Sequence, residues 1–177
     1  QLNNFDKVFL NEMILDEDSA RARITRPDIS YCYYAKKLAN IAKRYTRANN
    51  KICAEHILEE VYIKLEDHLD HIFLIEPYLE LGKKDKAEKI LKENLSDKDN
   101  LAAFLFMYMM DEIENLPVVL ARYKLYDYAI KTGVDFLAYD YDRNQSIKIL
   151  AKLEKALKKS SYKLTQEDLK LFDIPRE

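Results

Sequence analysis

The chain has 177 residues, 48% of them hydrophobic and 34% charged, with a formal net charge of -2. That balance excludes disorder as the main state and supplies no global field toward nucleic acid or membrane. Only 2 residues are Gly and 4 are Pro; with Gly82 and Gly133 far apart, glycine-rich phosphate loops and most strand-and-hairpin folds are excluded too.

In chain order, Phe5, Val8, Phe9 and Met13 form a first apolar stripe at helical spacing, ending in Asp16-Glu17-Asp18. Pro27 and Asp28 open a long helix to about Ala48, with Tyr31, Tyr34, Leu38, Ile41 and Tyr45 on its apolar face. Asn49-Asn50 breaks it, because Asn favours turns and left-handed caps. A second helix, Ile52 to Leu65, turns Ala54, Ile57, Leu58, Val61 and Leu65 inward. A third runs from about Asp67 to Leu81 and stops at Gly82, and Pro77 inside it predicts a kink or a shifted start.

Asp85 to Leu95 reads as a fourth helix burying Ala87, Ile90, Leu91 and Leu95, and Ser96 to Asp99 as a turn. The run Leu101 to Met110 is apolar for ten residues. A membrane span needs about twenty, so this predicts a central core helix, extending to Glu114. Pro117 starts a sixth helix that is expected to end before Gly133. Helical segments near Val134 to Tyr139 and Gln145 to Lys159 follow. Thr165-Gln-Glu-Asp168 has the form of a capping box and opens a short last helix through Phe172. The expected fold class is therefore all-α.

The chain is also self-similar. Tyr45, Asn49, Ala54, Leu58 and Val61 recur as Tyr78, Gly82, Ala87, Leu91 and Asn94, each 33 residues on. A small residue early in the second helix lets it approach the first, and the large residues fill the gap between hairpins. Two further units fit less closely: Leu101 to Tyr126, with Val119 or Ala121 at the small position, and Val134 to Leu157, with Ser146, Leu150 and Leu153.

This pattern resembles the tetratricopeptide repeat family, and Gly82-Lys-Lys-Asp-Lys-Ala87-Glu-Lys-Ile-Leu91 matches its turn and second helix best. Departures are the Gly position of the first helix, occupied by Ala42 and Ile75, and the absent closing Pro. The resemblance implies a right-handed superhelix of antiparallel helix hairpins, a TPR-like α-solenoid. The expected layout is an N-terminal helix and linker over 1–27, the repeat domain over 28–159 and a capping helix over 160–177.

Charge is split along the chain. Residues 21–51 hold nine basic groups and one acid, Asp28, whereas residues 55–80 hold eight acids and one Lys or Arg, Lys64. Lys36, Lys37, Lys43, Arg44 and Arg47 share one face of the long helix, opposite its apolar stripe. One reading is a solvated face neutralised by the acidic neighbour; the other is a site for an anion or acidic peptide. The family resemblance implies a peptide-binding surface lined by first helices, here Lys36, Asn40, Lys43 and Arg47 with Ile72, Glu76, Leu79 and Glu80. Of the family's clamp for a terminal carboxylate only Lys36, Asn40 and Lys43 are present.

Catalysis and metal binding find little support. Cys53-x-x-His56 and His68-x-x-His71 have ligand-like spacing, but antiparallel helices would hold the pairs about 18–22 Å apart. No Glu precedes any His by three positions, and no Gly-x-Ser-x-Gly elbow exists. A Cys53–His56 nucleophile pair lacks any suggested oxyanion hole. Two cysteines, Cys32 and Cys53, are too few for a disulfide framework and fit a reducing, cytoplasmic setting, with no disulfide between them. Tyr31, Tyr34 and Tyr45 fall on the apolar stripe of the long helix, so core packing with a hydrogen-bonded hydroxyl is expected of them rather than stacking on bases. The expectation is a non-enzymatic interaction module without cofactor, metal or membrane span, binding a protein or peptide. The alternative is a nucleic-acid binder using the basic strip of residues 21–51. A start at Gln1 rather than Met reads as part of a larger regulatory or assembly protein.

Overall fold

The computed structural model describes residues 17–18, 20, 31–65, 68–95, 116–138, 143–160 and 162–172. The N-terminal stripe Phe5 to Met13, the run Leu101 to Glu114 and the Tyr139 to Asp142 segment lie outside these residues, as do the side chains of Tyr31, Cys32, Tyr33, Tyr34 and His68. The chain is all-α, with no strand among the described residues. It forms two compact units, residues 1–97 and 98–177, which part within the turn expected at Ser96 to Asp99.

The first unit holds α1 (Tyr31–Arg47), α2 (Lys51–Lys64), a 3₁₀ helix (His68–Leu74), α3 (Ile75–Leu81) and α4 (Lys84–Leu95). Here α1 pairs with α2, α3 pairs with α4, and α3 also packs against α1 and α2. Two consecutive hairpins thus share one core, with Leu38, Ile57, Leu58, Leu74, Ile75, Tyr78, Ile90 and Leu91 as its largest fully buried side chains. Pro77 is the third residue of α3, in the first turn, where a helix has no intrahelical acceptor for its backbone N–H groups. Its cost is thereby avoided, and the preceding 3₁₀ turn is the shifted start that the proline predicts.

Both hairpins close through the same turn. Asn50 N–H donates to the Tyr45 carbonyl at 2.8 Å and Asn49 N–H to Thr46 at 3.0 Å; Lys83 donates to Tyr78 at 2.8 Å and Gly82 to Leu79 at 3.0 Å. This is the Schellman arrangement, which needs one left-handed residue. Asn49 supplies it at φ 61° and Gly82 at φ 84°. Five residues after each, Ala54 and Ala87 are fully buried, where a larger side chain would hold the paired helices apart. Asn50 also caps α2, its side chain accepting from Cys53 N–H at 3.3 Å.

The second unit holds α5 (Leu116–Arg122), α6 (Tyr126–Ala138), α7 (Arg143–Lys159) and α8 (Gln166–Phe172). α5, α6 and α7 pack mutually. The expected single helix from Pro117 to before Gly133 is two helices, broken at Tyr123 to Leu125, and Gly133 lies inside α6. The break is a third copy of the same turn: Leu125 donates to Leu120 at 2.9 Å and Lys124 to Ala121 at 3.1 Å, with Lys124 at φ 61°. The small residue of this unit is therefore Ala129, again five after the left-handed residue and fully buried, not Val119 or Ala121. The Val134 to Tyr139 segment is, through Ala138, the end of α6. A Cβ on Gly133 would come within 2.8 Å of Leu153 Cδ2 and 3.3 Å of Leu150 Cδ2. Gly133 thus permits close approach of α6 to α7 rather than closing a helix.

The capping box forms as the sequence spells it. Asp168 N–H donates to the Thr165 hydroxyl at 3.1 Å, and Thr165 N–H donates to the Asp168 carboxylate at 2.7 Å. Tyr162 hydroxyl adds a second bond to that carboxylate at 3.1 Å, and its ring packs 4.5 Å from Tyr126.

Candidate partner-binding surface

The basic face of α1 and the acidic face of α3 meet. Lys43 Nζ lies 2.5 Å from Glu76 and 3.8 Å from Glu80, and Arg47 lies 2.7 Å from Glu80. Lys43–Glu76 and Arg47–Glu80 are each 33 residues apart, so successive hairpins are tied in repeat register. Side-chain exposure is 17% for Lys43, 15% for Glu76 and 12% for Glu80, against 65% for Arg47. The first three hold one another in a mostly dehydrated seam, and Arg47 edges it from solvent.

Of the other residues singled out by sequence, Lys36 stands 5.9 Å from the Phe73 ring centroid, a cation–π arrangement. Asn40 is exposed on α1, one turn from Lys36 and Arg44. Ile72 and Leu79 are buried in the core, which leaves Asn40 and Arg47 as the exposed members of the set. The structure therefore brings Lys43, Arg47, Glu76 and Glu80 together, sets Lys36 beside them, and gives Ile72 and Leu79 to packing.

A second charged seam joins α2 to α4, and sequence inspection did not anticipate it. Glu55 pairs with Lys83, Glu59 with Lys86 at 3.1 Å, and Tyr78 hydroxyl donates to Glu59 at 3.3 Å. Burial, and then the Glu59 charge, push the Tyr78 phenol well above its ordinary pKa, so it stays a donor. Tyr62 stacks on His71 with centroids 4.3 Å apart, and Lys86 and Lys89 stand 5.6 and 5.4 Å from its ring. His71 Nε2 lies 3.0 Å from the Tyr62 carbonyl, so that nitrogen carries a proton. His71 thus serves hairpin packing near the end of α2, whereas Cys53, a free exposed thiol, and exposed His56 stand near its start. Among the described residues no group of three His, Cys, Asp or Glu side chains is placed to hold a metal ion.

No protein-family model matches the chain. No curated protein and no solved structure matches it either. Among the described residues no helix is long and apolar enough to cross a membrane.

The second unit contains an open cavity of about 280 Å³ lined by Asp127, Ile130, Lys131, Val134, Asp135 and Asp168. Lys131 and Asp135 pair at 3.0 Å along its α6 wall, and Asp168 is engaged in the capping box. No sequence signal marked this cavity, because its walls come from α6 and α8, some forty residues apart at the extremes (127 and 168).

Proposed function

We propose that the chain is a tetratricopeptide-like α-solenoid, a right-handed superhelix of degenerate helix hairpins, serving as a non-enzymatic module that binds an extended peptide or partner protein. The carrying observation is the strip along α1 and α3, where Asn40 and Arg44 lie exposed beside the seam of Lys43, Arg47, Glu76 and Glu80. A strip that alternates in sign over a rigid hairpin pair suits a polypeptide, whose side chains and amides offer both donors and acceptors. The recurring turn with its buried alanine supports the repeat assignment. The small cysteine count supports a reducing, cytoplasmic setting.

A peptide array of mixed-charge sequences tests this reading. Asn40→Glu and Arg44→Glu change exposed positions, so helicity should be kept while the best peptides lose at least about tenfold in affinity, a loss of about 1.4 kcal/mol. An unchanged binding profile in the double variant counts against the strip. The alternative, nucleic-acid binding through the basic face, predicts RNA or DNA affinity that falls steeply with salt. The carboxylates seated between Lys43 and Arg47 disfavour it, because a phosphate backbone offers acceptors and no donors to them.

A further inference from the structure

The outward face of α2 carries a mixed stripe, two isoleucines flanking His56 and Glu59, that the core does not use. Ile52 is 84% exposed and Ile63 is 78% exposed. Eleven residues separate them, so they stand about 20° apart around the helix and about 16 Å along it. His56 and Glu59 fall between them on the same face. The steps 52, 56, 59 and 63 are four, three and four residues, the spacing of a coiled-coil seam. The core side of α2, made by Ala54, Ile57, Leu58 and Val61, faces the other way.

This stripe is not inherited from the repeat. Thirty-three residues on, the corresponding positions are Asp85, Lys89, Lys92 and Ser96, as expected of a face left to water. The first hairpin alone places isoleucines there.

We propose that this face docks against the same face of a second copy of the chain, in an antiparallel pair about a two-fold axis. The seam is self-complementary in that orientation. A residue n of one copy lies level with residue 115 − n of the other, so Ile52 meets Ile63 and His56 meets Glu59, each contact occurring twice. Parallel pairing would set Glu59 against Glu59 and His56 against His56. The Glu59 oxygens already accept from Tyr78 and Lys86, and a carboxylate has capacity for a further donor such as an imidazole N–H. Glu55 and Glu60 flank the seam but are neutralised by Lys83 and Lys64 within their own chain. A stripe four residues long buries less than a standard interface, so the association is weak and reversible.

Sedimentation velocity on the full chain, over concentrations up to about 1 mM, reads this out. The expected result is a monomer–dimer equilibrium. Ile52→Asp and Ile63→Lys, at exposed positions, should each keep wild-type helicity and weaken dimerisation at least about tenfold. Mixing the two variants should restore a dimer, because the antiparallel register sets the new carboxylate against the new amine and leaves Ile52 of one copy on Ile63 of the other. A chain that stays monomeric throughout overturns the proposal, as do dimers insensitive to both changes. Variants that fail to recover on mixing overturn the antiparallel register and with it the self-docking seam.

Discussion

Gly82 and Gly133 are needed for unrelated reasons, and substitution separates them. Gly82 has φ 84° and nothing within 4 Å of the place its Cβ would occupy. Gly82→Ala therefore meets no clash and costs only the left-handed backbone, about 1 kcal/mol. Gly133 faces the methyls of buried Leu150 and Leu153. Gly133→Val must push α6 from α7, at about 1–3 kcal/mol, despite removing a flexible residue from a helix. Urea unfolding of the two variants checks both. A Gly82→Ala chain as stable as the parent would show that the turn relaxes out of its left-handed form. Lys124 fills the same role as Gly82 at φ 61° with an ordinary side chain, which is why residue identity alone missed the third turn.

At the scale of elements, α8 depends on one carboxylate. Burial works to raise the Asp168 pKa, but the hydrogen bonds from Thr165 and Tyr162 outweigh it and hold the group below the usual carboxylate range. A depressed folded pKa contributes stability that is present above the unfolded value, about 3.9, and lost as pH falls through the folded value. The Thr165 amide should therefore keep its exchange protection near neutrality and lose it only in acid below about pH 4. Asp168→Asn should flatten that dependence; an acid-insensitive Thr165 amide in the parent would refute the assignment. This box was legible because a cap is local: Thr165 and Asp168 are three residues apart and their chemistry needs nothing else. The Asn49 and Gly82 turns were legible for the same reason, as was the effect of Pro77. What sequence left open was which surface residues remain available. The charge split between residues 21–51 and 55–80 was plain, yet whether those charges face water or each other depends on how α1 lies on α3. Ile52 and Ile63 were hidden similarly, since helical spacing shows one apolar face readily and a second only once the first is seen to be buried.

On the scale of the whole molecule, the two compact units are held differently. In the second, Lys131–Asp135 and Lys158–Glu154 link successive turns of one helix, contacts worth about 0.3–0.5 kcal/mol each. In the first, besides such same-helix pairs (Lys64–Glu60, Lys84–Glu88 and Lys89–Glu93), ion pairs also cross between helices of different hairpins. Their energies should follow burial rather than distance alone. Lys43→Ala leaves Glu76, and Glu80 on one side, without their shared cation in a largely dehydrated seam. The expected loss is about 2 kcal/mol, less than for a fully buried pair because some water reaches both ends. Arg47→Ala removes a cation that is 65% exposed, and Lys43 remains beside Glu80, so that loss should stay under about 1 kcal/mol. Hydrogen exchange of α1 and α3 amides measures both in place and distinguishes the first unit from the second. If the two substitutions cost the same, the seam is open to solvent, and its four charges are as available to a partner as Asn40 and Arg44. If Lys43→Ala costs more, the seam acts as the register lock between hairpins, and a peptide must bind along its exposed edge.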